Sequence, residues 1–585
     1  MDDFSATPES WGIEAGYHDV FGSWHATSGE TQERLLEILS QGQERPPEPA
    51  AIPEPIRAFQ GDGRRTWALA VQLYAVRSRR NWGHGDFTDL RRLIEIGAGR
   101  GAAAIGLNPL HALFLDRANE ASPYAPNSRI FINPLYIDVE NVPEFPGIDA
   151  AGLREGVESA RTGELIDYTN VARIKISGLR AAYDAFRISA SAELKRDFAA
   201  YRREQGEALL RFACFEVLRA QFRPRPWAAW PHPWNCPGIE SLDELRNEQS
   251  DACEFQEFMQ WIADRQLEAC KQVAHRCRMA IGLYIDVAVG IHPDGADAWS
   301  DQDTFITKVS MGAPPDEFNP AGQDWGLAPF NPLVLAANDF KPLERLLQAT
   351  MRHAGAIRLD HILALKRVFM IPHGLTAREG AYVRFPFEGS LNAVSRVSQA
   401  MRCIVIGEDL GTVPEGFRET LARWGIWSYR VMLFEREHDG RFRAPETYPA
   451  ESLATFSTHD LPTLNGWLQS HDLRTKRGLD LDPGESDEAR AWAQRCLGDI
   501  LRERVGEHAD HAAPAIAEVL GSTPSRLVVM ALEDLMGALD QTNIPGTIDQ
   551  YPNWRRRLPD FIEDLQQNST FDEVANAFAR CGRSI

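Results

Sequence analysis

The hydrophobic positions of this chain gather into eight short apolar runs. They are WALAVQLYAV (67–76), GAAAIGLNPLHAL (101–113), AIGLYIDVAVG (280–290), AIRLDH (356–361), CIVIGEDLG (403–411), YRVMLFE (429–435), LATFSTHDLP (453–462) and SRLVVMALED (525–534). A half-exposed strand would alternate apolar and polar residues. Continuous runs are what a parallel sheet covered on both faces requires. The later runs are separated by segments with helical spacing. The pattern predicts an α/β fold, a (β/α)8 TIM barrel with large helical insertions and a short N-terminal helical segment. An open doubly wound sheet ranks second, because no glycine-rich phosphate loop follows the first run.

Two regions fall outside the repeat. SGETQERLLEILSQG begins with Ser/Thr capping candidates, places Leu35, Leu36 and Leu39 on one helical face and stops at Gly42. QERPPEPAAIPEPIR then reads as an extended, proline-rich connector. The stretch 114–279 is the main insertion, with helical patterns in GEALLRFACFEVLRAQF and DACEFQEFMQWIADRQLEACKQVAHRCRM. The expected organisation is an N-terminal helical segment and linker over 1–60, then a catalytic barrel over 61–585.

Charge narrows the partners. Asp and Glu number 83 against 62 Lys and Arg, a net charge of −21. Such a surface repels phosphates, which argues against nucleic acid or an anionic membrane and for a small neutral substrate. No apolar run reaches the ~18 residues of a spanning helix. MDDFSATPESWG has no apolar signal core, so a cytoplasmic location is expected. The eight cysteines are scattered, with no C-x-x-C pair. Neither a metal site nor a disulfide framework is signalled, and buried free thiols are the plainer reading.

The chemistry collects at the C-terminal ends of the runs, the face on which barrel enzymes build their sites. IDV supplies Asp286, RLDH supplies Arg358, Asp360 and His361, GED supplies Glu408 and Asp409, and STHD supplies His459 and Asp460. Burying an unpaired polar group costs ~2–7 kcal/mol, and a charge more, so these groups are expected to be paired or functional. Taken singly, each has a bland reading: an ion pair, acids at a helix N-terminus, a capping turn. Arriving on successive strand ends, they reinforce one another. Side chains two apart on a strand share a face, so Arg358 is expected beside Asp360, lowering its pKa and keeping it ionised as a nucleophile. A second carboxyl with a raised pKa would serve as an acid. Two carboxyls ~5–5.5 Å apart are the machinery of a retaining glycosidase; a wider gap means inversion. Tyr74 near the end of the first run, Trp82 after it, and Tyr124, Phe318 and Trp325 after the second and third add rings, and flat rings suit the apolar faces of sugars. Most of the 15 tryptophans are expected to pack the core.

Several longer pieces carry a family resemblance. AVQLYAVRSRRNWGHGDFTDL, GLNPLHAL, ASPYAPNSR, GLYIDVAVG, GAPPDEFNPAGQDWGLAP, GAIRLDH, VIGEDLGTVP, STHDLPT and NIPGTIDQYPNWRRRL occur in that order across most of the chain. The sequence resembles the 4-α-glucanotransferases, or amylomaltases, of glycoside hydrolase family 77, and most closely the bacterial maltodextrin-system branch. The resemblance implies Asp360 as nucleophile, Glu408 as general acid/base, and Asp460 as a third acid that binds sugar hydroxyls and stabilises the transition state. It implies that Arg358, His361 and His459 orient the nucleophile and hold the sugar. Asp286 matches the acid of the third strand, and Ser122 and Tyr124 match a substrate-contacting SPY. Phe318 and Trp325 fall in a loop that covers the acceptor side. Malto-oligosaccharides and glucose are implied as donor and acceptor, without cofactor or metal; the oligomeric state is left open. Two departures stand out. Larger members carry an extra N-terminal domain, whereas about 60 residues precede the barrel here. Shorter thermophilic members have Tyr-Phe where this chain has Glu317-Phe318. An α-1,4-glucan hydrolase using the same acids, and a catalytically silent glucan-binding barrel, are the alternatives.

Overall fold

The computed structural model describes residues 7–19, 22–41, 54–315, 321–506 and 511–583. Each of the eight apolar runs coincides with one barrel strand: β1 (Thr66–Val71), β2 (Ala104–Leu107), β3 (Gly282–Val287), β4 (Ala356–Leu359), β5 (Ile404–Gly407), β6 (Trp427–Val431), β7 (Ser452–Thr455) and β8 (Leu527–Ala531). Strands β1, β6 and β7 begin a residue or two ahead of their runs. Each pairs in parallel with the next, and β8 pairs with β1 through Leu527 opposite Thr66, so the sheet closes. Every residue of β2, β3, β4, β5 and β7 is buried. Side chains fill the inside of the barrel and helices cover the outside, which is why neither face of the strands alternates.

The helices Phe87–Ala98, Lys341–Met351, Phe387–Met401, Phe417–Arg423, Ala512–Ser522 and Ser569–Arg580 each follow a strand. The first is fixed by a reciprocal cap between Asp86 and Asp89. Both helical patterns read in the insertion form helices, Ala192–Phe222 and Ser250–Arg276, the second ending just before the CRM that closes its pattern. The second of these packs against Phe87–Ala98 and leads directly into β3, so the end of the insertion serves as an outer helix of the barrel. One βα unit departs from the expectation. Between β6 and β7 the chain makes only two 3-10 turns, Met432–Phe434 and Pro445–Thr447. Its sequence there, EREHDGRFRAPETYPA, offers no apolar stripe to pack as a helix.

The expected N-terminal helix is Gly29–Ser40, capped by the Ser28 hydroxyl, which accepts from the Thr31 N–H. Leu35 and Leu39 are buried. The expected stop at Gly42 and the first part of the proline-rich connector lie outside the described residues. The pattern did not reveal what this segment rests on. A hairpin, Gly16–His18 with Trp24–Ala26, precedes the helix. Both dock on a four-stranded antiparallel sheet of Ala381–Arg384, Arg367–Pro372, Val309–Ala313 and Gln323–Asp324, in that order. Those strands come from the segments that follow β3 and β4, so the sheet stands on the C-terminal face of the barrel. Trp11, Ile13, Leu35 and Leu39 share an apolar core with Met311, Val368, Met370 and Val383, and Ile13 bridges to Val383.

Leu35 is fully enclosed in that core. Leu35→Ala is expected to cost about 2–5 kcal/mol. Amide exchange should accelerate across 29–40 and 366–384, and leave the barrel strands protected.

Candidate active site

The site begins where β4 ends. Asp360 keeps the strand pairing for one further residue, its N–H donating to the Val287 carbonyl at 3.1 Å. His361 then turns the chain in a left-handed conformation, φ 43°. The following Ile362 lies against Gly407, where a Cβ would come within 2.5 Å of its side chain. Glycine therefore lets the turn after β4 close onto the end of β5. That contact brings the His361 N–H to Glu408 Oε2 at 2.9 Å, while Glu408 Oε1 accepts from the Leu410 N–H at 2.8 Å.

Arg358 sits opposite Asp286 in the β3–β4 register. Its Nη1 donates to both Asp286 oxygens, at 2.8 and 2.7 Å, and to Asp360 Oδ1 at 2.9 Å. Its guanidinium carbon lies 5.3 Å from the Tyr429 ring centroid. Two carboxylates and an aromatic face thus explain how a barrel strand tolerates an arginine that is 7% exposed. Tyr124 extends the network. Its hydroxyl donates to Asp286 Oδ2 at 2.6 Å and lies 3.3 Å from His459 Nδ1. The Tyr124 and His459 rings stack at 4.8 Å. His459 Nε2 faces Asp460 Oδ2 at 3.3 Å.

Tyr124, Arg358, Asp286, Asp360, His361, His459 and Asp460 are therefore linked, and Glu408 is pinned to the backbone beside Asp360. Ser122 enters indirectly: its hydroxyl accepts from the Tyr124 N–H at 3.3 Å. Trp325 reaches the site through His361, ring edge to face at 5.2 Å. Phe318 lies outside the described residues. Tyr74 and Trp82 are buried in the core. Three further residues join that were not singled out from the pattern. Tyr429 backs Arg358. Asn543 donates to Asp460 Oδ1 at 2.7 Å, and its N–H donates to the His459 carbonyl at 3.1 Å. Trp554 lies 5.5 Å from Tyr124 and 5.4 Å from His459, ring to ring. Asn543 and Trp554 both lie in NIPGTIDQYPNWRRRL, a stretch dense in amides and aromatics. The cavity that Tyr124 and Arg358 line also reaches Glu533, whose carboxyl burial pushes up to about 7.

Burial governs the protonation of the acids. It pushes Asp360 up to about 6, against the opposing pull of Arg358, with Asp286 and Glu408 adding to the rise. The expectation that Arg358 would hold Asp360 low is therefore corrected: its effect has that sign, but lost hydration and two neighbouring acids outweigh it. Burial also raises Glu408, against Arg358 and the two backbone donors. Asp460 goes the other way. Burial acts to raise it, but His459 and Asn543 prevail and hold it below the ordinary carboxylate range. Asp460 is also the most open of the three, its side chain 44% exposed against 19% for Asp360. Among the described residues, no group of three or more His, Cys, Asp or Glu side chains could hold a metal ion.

Known proteins resemble this chain over most of its length. The sequence profile of the 4-alpha-glucanotransferase family, glycoside hydrolase 77, matches residues 71–563. A 4-alpha-glucanotransferase of Mycobacterium tuberculosis is 36% identical over 94% of this chain and 78% of its own length. One of Haemophilus influenzae is 34% identical over 86% of this chain and 77% of its own. The crystal structure of amylomaltase from Corynebacterium glutamicum superposes with a TM-score of 0.83 at 27% identity, over 97% of this chain and 98% of that one. An eight-stranded parallel barrel, with an Arg-bound carboxylate and a second carboxyl on neighbouring strand ends, thus coincides with family-wide similarity: the chain belongs to the 4-alpha-glucanotransferase family.

Proposed function

We propose that this chain moves α-1,4-glucan segments from one maltodextrin to the 4-hydroxyl of another glucan or of glucose, by two displacements at one carbon. In the first, Asp360 attacks the anomeric carbon while Glu408 gives its proton to the glycosidic oxygen. The bond to the reducing-end fragment breaks, and a glycosyl ester of Asp360 forms. In the second, Glu408 takes the proton of the acceptor 4-hydroxyl, that oxygen displaces Asp360, and two inversions restore the α configuration. The observation that carries this reading is the connection between the two acids: Glu408 is held by the N–H of the residue after Asp360.

Each side chain has a part that its surroundings support. Arg358 stabilises the Asp360 carboxylate, both before attack and as a leaving group. Burial raises Glu408, which favours the protonated form that an acid needs. Asp460 is ionised and open, oriented by His459 and Asn543 to accept hydrogen bonds from sugar hydroxyls. Tyr124, His459 and Trp554 offer a ring wall to the apolar face of a glucose unit. Transfer in place of hydrolysis requires an acceptor bound better than water. All eight cysteines are free thiols, which supports a reducing, cytoplasmic setting.

Incubation with maltotriose separates the readings. Glucose together with a ladder of longer maltodextrins is the expected product pattern. Glucose and maltose alone would make the chain a hydrolase, and unchanged maltotriose a silent barrel. Asp360→Asn should lower turnover by roughly 10⁴-fold or more with the fold intact; residual turnover near wild type would remove Asp360 from its role. Glu408→Gln should nearly abolish cleavage of maltotriose, yet release fluoride readily from an α-maltosyl fluoride, whose leaving group needs no proton. Equal losses on both donors would sink the acid assignment. The pH profile follows from the two carboxyls. Asp360 must be ionised, so kcat/KM should fall tenfold per unit as pH drops below about 6. Glu408 must be protonated, so activity should fall again above its own raised pKa. The two limbs belong to the pair. An acid limb near 4 would contradict the burial argument.

A further inference from the structure

A groove of about 800 Å3 lies between the insertion helix Ala192–Phe222 and the outer barrel helix Lys341–Met351. It shares no lining residue with the catalytic network. We infer that this groove binds a phosphorylated sugar, whose phosphate is gripped by Arg129, at a site separate from the catalytic cleft.

The first observation is Arg129 itself, which lines the groove and is 4% exposed. Its guanidinium carbon lies 4.6 Å from the Phe330 ring centroid and 5.9 Å from that of Phe305. Its Nη1 donates to the Ala288 and Val289 carbonyls, at 3.1 and 2.8 Å. Its buried Nε has no hydrogen-bond partner among the described residues, and neither has its Nη2. Those two nitrogens form one edge of the guanidinium, the edge that holds two oxygens of an oxyanion by parallel bonds. A buried donor left unmade is costly, and a ligand oxygen would satisfy it. Burial lowers the Arg129 pKa to about 10, with Asp297 acting against it, so the side chain stays charged at neutral pH.

The second observation is charge. The chain as a whole carries −21, yet four arginines and four acids line the groove. Most of these are already committed. Arg211 meets Glu207 at 2.7 Å, and Arg352 meets Glu204 at 3.4 Å. Asp297 accepts from the Ser128 hydroxyl at 2.6 Å and from the Arg129 N–H at 2.8 Å. Arg129 and the exposed Arg345 are left to meet an anion, and Asp301 to accept from hydroxyls.

The third observation is size and lining. A bare phosphate would fill little of the groove, whose volume is that of a small-molecule site. Phe131 and Phe212, with ring centroids 4.5 Å apart, offer apolar surface to a sugar ring, and Gln205, Ser300 and Gln348 offer polar groups to its hydroxyls. The helical wall is shaped here too: Ala192–Phe222 is broken at Gly206, φ 52°, between two residues that line the groove. An occupant of Arg129 is also tied to the barrel. The carbonyls that Arg129 holds follow directly on Val287, whose own carbonyl accepts from the Asp360 N–H.

The test is calorimetric titration of the full chain with glucose 6-phosphate and glucose 1-phosphate, with glucose and gluconate as controls. At least one of the two esters is expected to bind tenfold or more tightly than glucose. Arg129→Lys keeps the charge and loses the fork, and should weaken that binding tenfold or more; Arg345→Ala should weaken it threefold or more. With the ester bound, amide exchange should slow over 204–212 and 288–305. No binding of either ester, affinity equal to that of glucose, or affinity unchanged in both variants would overturn the inference. So would slowing confined to 408–411 and 458–463, which would place the ester in the catalytic cleft. Gluconate bound as tightly as the esters would overturn the choice of phosphate. Should Arg129→Lys melt early, Arg345→Ala, at an exposed position, decides together with the exchange pattern. None of these readouts needs glycosyl transfer, so this site and the functional reading above fail separately.

Discussion

The site depends on one buried cation. Arg358 sits inside the barrel between Asp286 and Asp360, with Tyr429 beside its guanidinium. Without it, two carboxylates would face each other in a poorly hydrated interior, at a cost of several kcal/mol for each uncompensated charge. With it, the last turns of β3 and β4 are locked in register, and Asp286 can in turn hold the Tyr124 hydroxyl. Asp460 follows through His459, and Asn543 through Asp460. A charge that would be a liability elsewhere in the strand organises segments far apart in the chain.

The same cation does not make the acids alike. Asp360 and Glu408 lie deep enough that lost hydration outweighs the attraction of Arg358, and both are raised. Asp460 lies at the rim, gains a histidine and an amide, and is lowered. Three carboxyls within one network therefore divide into two raised by burial and one held low. This separation of environments is what acid–base chemistry at a single centre needs.

Much of this was legible in the chain because double-sided burial writes itself as continuous apolar runs, and strand ends that carry charge interrupt them. AIRLDH is the clearest case: Ile357 is buried as the pattern requires, and Arg358 and Asp360 mark where the strand reaches the site. Other features had no local signature. In the antiparallel sheet under the N-terminal segment, RVFMIP pairs with AYVR of its own unit but also with Val309–Ala313 from the unit before, and that second pairing is invisible in a window of sequence. The missing helix between β6 and β7 leaves only a lack of pattern. Asn543 and Trp554 reach the site through a long loop, and nothing local fixes where that loop goes. The sign of the Asp360 shift needs the depth of the carboxyl as well as the identity of its neighbour, and depth is a tertiary quantity.

The long detour between β2 and β3 bears on how the molecule assembles. Ala104 pairs with Gly282, and the helix that ends the insertion is also an outer support of the barrel. These two strands cannot register until the whole intervening stretch has been synthesised and its last helix has found its seat. Thr66 waits longer still, for Leu527 near the other end of the chain. Pairings so distant in sequence carry their loop-closure entropy before any reward, and they slow folding accordingly. The helices of the insertion, by contrast, pack on one another, Ala192–Phe222 against Ser250–Arg276, over shorter separations in sequence. The catalytic network, which spans β3 to β7 and closes through the loop after β8, depends on pairings of the long-range kind.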